Sequence, residues 1–249
     1  MSQGCCSCDR QAPGWVEGRF FRTCCKTCAI SQGRRGHDIA CDIRRDGAMC
    51  PPWYWKFPHR RDGTWHEEVA GRYAEKMAMS LIGRGLAGCQ IVRATRVEDS
   101  VLWARYAAKR AQLRLRGVCQ AACSSTSNDL RFSARIALDD SVNEVYLFHC
   151  TTPAAAAAIV KSNFQPSVFG SFGPGVYFAD NAAKSNQYAT GLSADGCKVM
   201  VLCRVVLGNL VQYGSGSNGD SLTGTTNHRE FIIRDTSQIY PEYLVHYKA

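Results

Sequence analysis

LFHCT (147–151), FGPGVYFADNAAKSNQY (172–188), VLCRVVLG (201–208) and HREFIIRDTSQIYPEYLVHY (228–247) decide the reading of this chain. They are short β-branched and aromatic runs set between turn-forming residues, the composition of strands joined by turns. VYLFH, GVYFA, KVMVLCRVVL, EFIIRD and YLVHY read as strands, and AAAAAIVKS and NAAKSNQYA as short helices. GSGSNGDSLTGTTNH (214–228) reads as a surface loop. Strands and helices do not alternate as βαβ units. The fold class expected is therefore α+β, with a mainly antiparallel sheet and flanking helices.

Working outward, CQIVRATRV (89–97) alternates like a strand, and SVLWARYAAKRAQLRLR (100–116) reads as a helix with Leu102, Tyr106 and Leu113 on one side. Its other face is strongly basic. A solvated face explains those charges most simply, and a polyanion contact is the second reading. TWHEEVAGRYAEKMAMSLI (64–82) places Trp65, Val69, Tyr73, Met77 and Leu81 four apart, which predicts an amphipathic helix ended by Gly83, Gly85 and Gly88. PPWYWKFPHRRDG (51–63) reads as a linker with aromatic anchors, because its prolines deny regular structure.

The 249 residues carry 45% hydrophobic and 20% charged residues, which suits a globular protein and argues against wholesale disorder. A net charge of +9 favours polyanionic partners, whether nucleic acid or an anionic cofactor, although a basic soluble protein needs none. The first thirty residues hold no apolar secretory core, and the apolar run 199–207 is interrupted by Arg204. A soluble intracellular protein without membrane contact is expected, nuclear or cytoplasmic.

Cysteine is concentrated at the N-terminus. Eight of the 14 cysteines fall within residues 1–50, a segment poor in Leu, Ile and Val that cannot build a core from apolar side chains alone. Clustered cysteines without a secretory signal suggest metal rather than disulfides. Cys5, Cys8, Cys24, Cys28, His37 and Cys41 form C-x2-C, C-x3-C and H-x3-C pairs, spacings from which a structural zinc site draws ligands. Cys6 and Cys25 offer alternative partners. Residues 1–50 are thus expected to be a zinc-stabilised module, and the later cysteines small buried hydrophobes.

In the C-terminal half, His149 ends one strand, Tyr177 lies on the next after a Gly-rich turn, and Ser185 and Tyr188 follow on a short helix. Two tyrosines eleven residues apart across a turn could hold a flat ring between them. Glu230 begins an otherwise apolar strand, and a carboxylate there must face a cleft or water, because burial without a partner is costly.

In this order the motifs resemble the His-Tyr-Glu signature of the poly(ADP-ribose) polymerase (PARP) family of ADP-ribosyltransferases, closest in motif to the tankyrases. FGPGVYFADNAAKSNQYATG and REFIIRDTSQIYPEYLVHY carry the likeness, and CQIVRATRVEDSVLWARYAAKRAQL is similar to the strand and helix that open the family's fold. The resemblance implies a split antiparallel sheet over residues 64–249 with NAD bound in the cleft between its halves. It implies catalytic roles for His149, Tyr177 and Glu230. His149 would bond the adenine-side ribose. The backbone of Cys150 and the Ser185 hydroxyl would bind the nicotinamide carboxamide, with Thr151 beside them. Tyr177 and Tyr188 would flank the ring, and Glu230 would hold the nicotinamide ribose.

The chain departs from the pattern at four places. Cys150 replaces a glycine, an asparagine is lost within the alanine run 154–158, the donor-side loop 165–173 has no arginine, and GLSADG stands where tankyrases carry a metal-binding insertion. The function expected is an NAD-dependent ADP-ribosyltransferase that releases nicotinamide and modifies a protein or nucleic-acid acceptor with one or many units. The alternatives are a catalytically weak NAD or ADP-ribose binder recruited by its finger, and a zinc-dependent nucleic-acid binder.

Overall fold

In this computed structural model, residues 85–117, 138–225 and 229–249 are described, with 3–4, 11–12, 14–16, 19–21, 30, 55, 64–68 and 82–83 before them. The chain divides into two compact units, Met1–Arg61 and Asp62–Ala249. Within the first, β1 (Gln3–Gly4) pairs with β2 (Gln11–Ala12), and β3 (Gly14–Val16) with β4 (Arg19–Phe21), both antiparallel. The six candidate zinc ligands all lie outside the described residues.

In the second unit the strands are β5 (Thr64–Glu68), β6 (Gln90–Asp99), β7 (Glu144–Cys150), β8 (Val176–Ala179), β9 (Lys198–Val206), β10 (Leu210–Gln212), β11 (Ser221–Thr225), β12 (Arg229–Ile233) and β13 (Ile239–Lys248). They form one sheet in the order β10-β11-β12-β8-β7-β9-β13-β6-β5. All neighbours are antiparallel except β10 and β11. Among the described residues, helices α1 (Ser100–Arg116), α2 (Pro153–Ser162) and α3 (Ala182–Asn186) accompany them.

Each helix starts where its sequence supplies an oxygen for the unpaired first-turn N–H groups. Asp99 accepts from Val101 and Leu102, Thr152 from Ala155 with Pro153 at the first position, and Asn181 from Ala183 and Lys184. Alternation along the strands then sorts two faces. Val145, Leu147, Val201, Cys203, Val205, Phe178, Phe231 and Ile239 form the core under Ala156 of α2. The opposite face carries Tyr146, Arg204 and Tyr240, and there Trp103 of α1 meets Tyr240 edge-on at 5.0 Å.

Two expectations are corrected. Residues 64–68 begin no helix: they form β5 on β6, with Trp65 opposite Glu98, and 69–81 lie outside the described residues. TWHEE holds one apolar residue and so fixes no period by itself, and β6 offers an open edge. Likewise, 221–225 of the expected loop form β11, paired from Ser221↔Ile233 to Thr225↔Arg229. Apolar content there is too low to announce a strand, and β12 supplies the template. Pro241 lies in β13 where β9 alone pairs with it, before the β6 ladder begins at Tyr243, and the register shifts between Pro241 and Tyr243.

Part of the basic face of α1 is paired within the fold, while Arg105 and Arg116 are exposed. Lys109 pairs with Asp235 at 2.9 Å and Arg110 with Glu144 at 3.3 Å, and Arg114 and Arg116 pair with Asp139 and Asp220. No helix among the described residues is long and apolar enough to cross a membrane.

Candidate active site

The sheet is continuous on either side of a weak point. The β7–β8 ladder holds a single pair, Phe148↔Ala179, whereas β7 and β9 pair over seven positions from Glu144↔Val206 to Cys150↔Met200. Beyond that pair the two strands part, and the candidate residues collect around the split.

His149 follows Phe148 and therefore projects to the α2 face, where its ring meets Phe164 edge-on at 5.0 Å and Phe178 at 5.6 Å. Its Nδ1 lies 2.8 Å from the Tyr177 carbonyl oxygen across the split. A carbonyl only accepts, so Nδ1 carries the proton. Burial lowers the His149 pKa from its ordinary value, and the hydrogen bond to the carbonyl opposes this only in part. The imidazole is thus held neutral, with Nε2 as an acceptor.

Tyr177 and Glu230 occupy the other face. Directly opposite residues share a face, and the register pairs Ile232 with Tyr177 and Glu230 with Ala179. The Tyr177 hydroxyl is pinned within the donor-side loop. It donates to the Gly173 carbonyl at 2.6 Å and accepts from the Phe172 N–H at 2.9 Å. Gly170 lies against that hydroxyl, so any side chain at 170 would displace it. Sequence reading assigned Gly170 no role, because the contact joins a turn to a strand seven residues on.

Glu230 is only 7% exposed. It does not face open water: its Oε1 lies 3.4 Å from Lys184 Nζ on α3. Lys184 was not singled out in the sequence, although it adjoins Ser185 in the motif. Burial disfavours its charge, but Glu230 and Tyr188 more than compensate and its pKa rises. The Tyr188 ring is half-exposed, with the Lys184 ammonium 5.4 Å from its centroid. The neighbouring pair Arg229–Asp180, with Nε to Oδ2 at 3.0 Å, ties the start of β12 to the end of β8.

Ser185 is buried and donates to the Phe148 carbonyl at 2.9 Å, which leaves its oxygen lone pairs to accept. That bond also fixes which way the Phe148 backbone points. Residues two apart on a strand present their polar groups to the same edge, so Cys150 directs its N–H and C=O towards the split, past the last pair with β8. The Cys150 side chain turns elsewhere. Its sulfur is 3.8 Å from the Tyr247 hydroxyl, which donates to Asn186 at 2.7 Å. Burial pushes the Cys150 thiol up to about 12. Thr151 lies half-buried between β7 and α2.

The structure thus links His149 to Tyr177, sets Tyr177 and Glu230 on one face of adjacent strands, and draws Lys184 and Ser185 of α3 onto Glu230 and β7. Residues 82–218, more than half of the chain, match the poly(ADP-ribose) polymerase catalytic domain. This chain belongs to the PARP catalytic-domain family. The match ends before Glu230, which lies beside the matched strand β8 through the pairing of β12 with it.

Among curated relatives, a protein named "Probable poly [ADP-ribose] polymerase" from Dictyostelium discoideum is 37% identical over 115 residues, 42% of this chain and 34% of that protein. Protein mono-ADP-ribosyltransferase PARP11 of Mus musculus is 28% identical over 208 residues, covering 67% of this chain and 55% of the relative. Protein mono-ADP-ribosyltransferase PARP12 of Homo sapiens is 26% identical over 226 residues, covering 83% and 29%. The chain therefore spans between 29% and 55% of the length of these relatives.

Proposed function

We propose that the chain cleaves NAD between nicotinamide and ribose and transfers the ADP-ribosyl group to a protein acceptor. The observation that carries this reading is the buried, lysine-paired carboxylate of Glu230 on the Tyr177 face of the split. Breaking the glycosidic bond sends its electron pair out with nicotinamide and leaves positive charge on the ribosyl carbon. A fixed carboxylate interacts most strongly where that new charge appears. At about 4 Å and an effective dielectric of about 20 the attraction is about 4 kcal/mol, roughly a thousandfold in rate.

The other residues take complementary parts. The Cys150 backbone and the Ser185 hydroxyl offer a donor and acceptors to the carboxamide. Tyr177 and Tyr188 flank the ring, and Thr151 lines the end of β7. Neutral His149 offers Nε2 to a ribose hydroxyl. Lys184 offsets the cost of keeping the Glu230 carboxylate out of water. The same carboxylate can receive the proton of the incoming acceptor hydroxyl.

Labelled NAD supplied with a protein acceptor should yield free nicotinamide and labelled protein. Glu230→Ala should lower the rate by about 10²–10³-fold, the cost of removing one charge-stabilising group. Nicotinamide release equal to that of the variant, with NAD still bound, would favour the binding-module alternative. Cys150, where the family pattern has glycine, sets its sulfur 3.8 Å from the Tyr247 hydroxyl.

For residues 1–50 we propose one or more zinc ions on ligands drawn from Cys5, Cys8, Cys24, Cys28, His37 and Cys41, supported by their spacing alone. Metal analysis of the purified chain, repeated after these cysteines are changed to serine, tests it. Zinc content unaffected by the changes would refute the assignment.

A further inference from the structure

Helix α3 is too short to hold its own place. Isolated helices below about 12–15 residues are marginal in water, and α3 has five. Its position is therefore set by ties to the sheet. One tie is the bond from Ser185 to the Phe148 carbonyl. Another runs through the next residue, Asn186, to the last strand. Tyr247 stands opposite Lys198 of β9, and Cys150 stands opposite Met200, the next residue but one, so these four side chains project to one face. On that face the Tyr247 hydroxyl and Lys198 Nζ meet the same Asn186 atom, at 2.7 Å and 3.3 Å. An ammonium only donates, so that atom is the amide oxygen, and the hydroxyl donates to it as well. With the hydroxyl proton so used, the Cys150 thiol is the donor in the 3.8 Å contact and the hydroxyl oxygen accepts. A chain of bonds thus runs from Cys150 through Tyr247 to Asn186, with Lys198 at its end. Tyr247 and Cys150 are both buried. A glycine at 150, as in the family pattern, would offer the hydroxyl no such donor.

We propose that Tyr247 is a positioning residue for the nicotinamide half of the site, holding α3 at the separation from β7 at which Ser185 and the Cys150 backbone grip one carboxamide. This inference deepens the transferase reading and rests on its placement of nicotinamide. The carboxamide draws its partners from two elements, the N–H and C=O of Cys150 on β7 and the hydroxyl of Ser185 on α3. Tyr247 reaches both elements with one oxygen. It bonds to the residue after Ser185 and meets the side chain of Cys150 itself. A displacement of about 1 Å between such groups can cost on the order of 10²-fold. The ADP-ribose half of NAD carries no carboxamide, so its binding does not draw on this tie.

The test measures Kd of the full chain for nicotinamide and for ADP-ribose separately, by ligand-observed NMR titration, in the wild type, Tyr247→Phe, Asn186→Ala and Asn186→Asp. Tyr247→Phe keeps the ring and removes the hydroxyl. It should weaken nicotinamide about tenfold and leave ADP-ribose within about twofold, and KM for NAD should rise by more than kcat falls. Asn186→Ala should do the same. Asn186→Asp keeps an oxygen for Tyr247 and Lys198, so its nicotinamide Kd should stay within about threefold of wild type. An unchanged nicotinamide Kd in Tyr247→Phe would overturn the assignment. So would both ligands weakening together, since a general loosening of the fold does not distinguish the two halves. If Tyr247→Phe does not melt cooperatively, Asn186→Ala decides. If neither does, the chain of bonds serves the fold alone and the assignment fails. The expected Kd pattern in a wild type that releases no nicotinamide from NAD would reject the transferase reading and keep Tyr247 as the positioning residue of a binding site.

Discussion

Three residues around the split make demands on the solvent near them. Lys184 faces Glu230 in a region where both are nearly excluded from water. Removing one member of such a pair strands the other. Lys184→Met should therefore slow nicotinamide release by about tenfold to a hundredfold through kcat. Lys184→Arg, which retains the charge, should recover part of the loss; kcat unchanged in Lys184→Met would remove Lys184 as a positioning residue. His149 makes the opposite demand. Its folded pKa is lowered by burial, so below the ordinary value near 6.5 the unfolded chain takes up a proton that folded His149 refuses. Stability from this residue is present above about 6.5 and falls as the pH drops through the unfolded value. Imidazole NMR should show a His149 midpoint below 6.5, and a midpoint at or above it would contradict the neutral-acceptor role. Cys150 is buried with its thiol raised to about 12, so labelling by a thiol reagent at pH 8 should await unfolding.

At the scale of the element, α1 shows how a helix legible in sequence can carry pairings that are not. Its apolar stripe follows from periodicity, and the structure adds the cap, Asp99. The partners of its cations depend on strands and turns tens of residues away. Glu144 of β7 is the focus. It accepts from the Tyr106 hydroxyl at 2.6 Å and the Asp139 N–H at 2.7 Å, and it meets Arg110 at 3.3 Å and Arg204 at 3.1 Å. Burial would raise its pKa, but Arg204 and Arg110 outweigh burial and hold it at about 2. Its contribution is thus present above the ordinary value near 4.5 and is lost as the pH falls towards about 2. Arg204→Met should destabilise the fold by about 3–5 kcal/mol, because it leaves Glu144 and Glu242 under-compensated. In thermal melts that is a fall of roughly 10 °C at neutral pH, and acid unfolding should begin at higher pH than in the wild type. A melt within about 2 °C of wild type would show that the cluster adds little. The strands β5 and β11 illustrate the converse, since their sequences are ambiguous and only the open edges of β6 and β12 decide them.

At the scale of the whole molecule, what was legible and what was not divide by range. The strands that carry His149, Tyr177 and Glu230 and the short helix before Tyr188 that holds Ser185 could be read because each has its own local pattern. Lys184 facing Glu230, Gly170 against Tyr177 and Tyr247 against Cys150 could not, because each joins segments whose register is set only when the sheet forms. The same range argument bears on the N-terminal segment. Every residue named in the candidate site lies within Asp62–Ala249, as does the nine-stranded sheet. If the chemistry belongs to that unit alone, a chain beginning at Asp62 should release nicotinamide from NAD at a rate within about threefold of the full chain, since no site contact would be lost. Acceptor modification is a separate quantity, because a recruiting module raises the local concentration of its target without touching the reaction. The truncated chain should therefore show its loss in the rate of protein labelling at low acceptor concentration, recovered as acceptor is raised. Nicotinamide release and labelling falling together, in a truncated chain that still melts cooperatively, would place residues 1–61 within the catalytic machinery and contradict a division of labour between the two units.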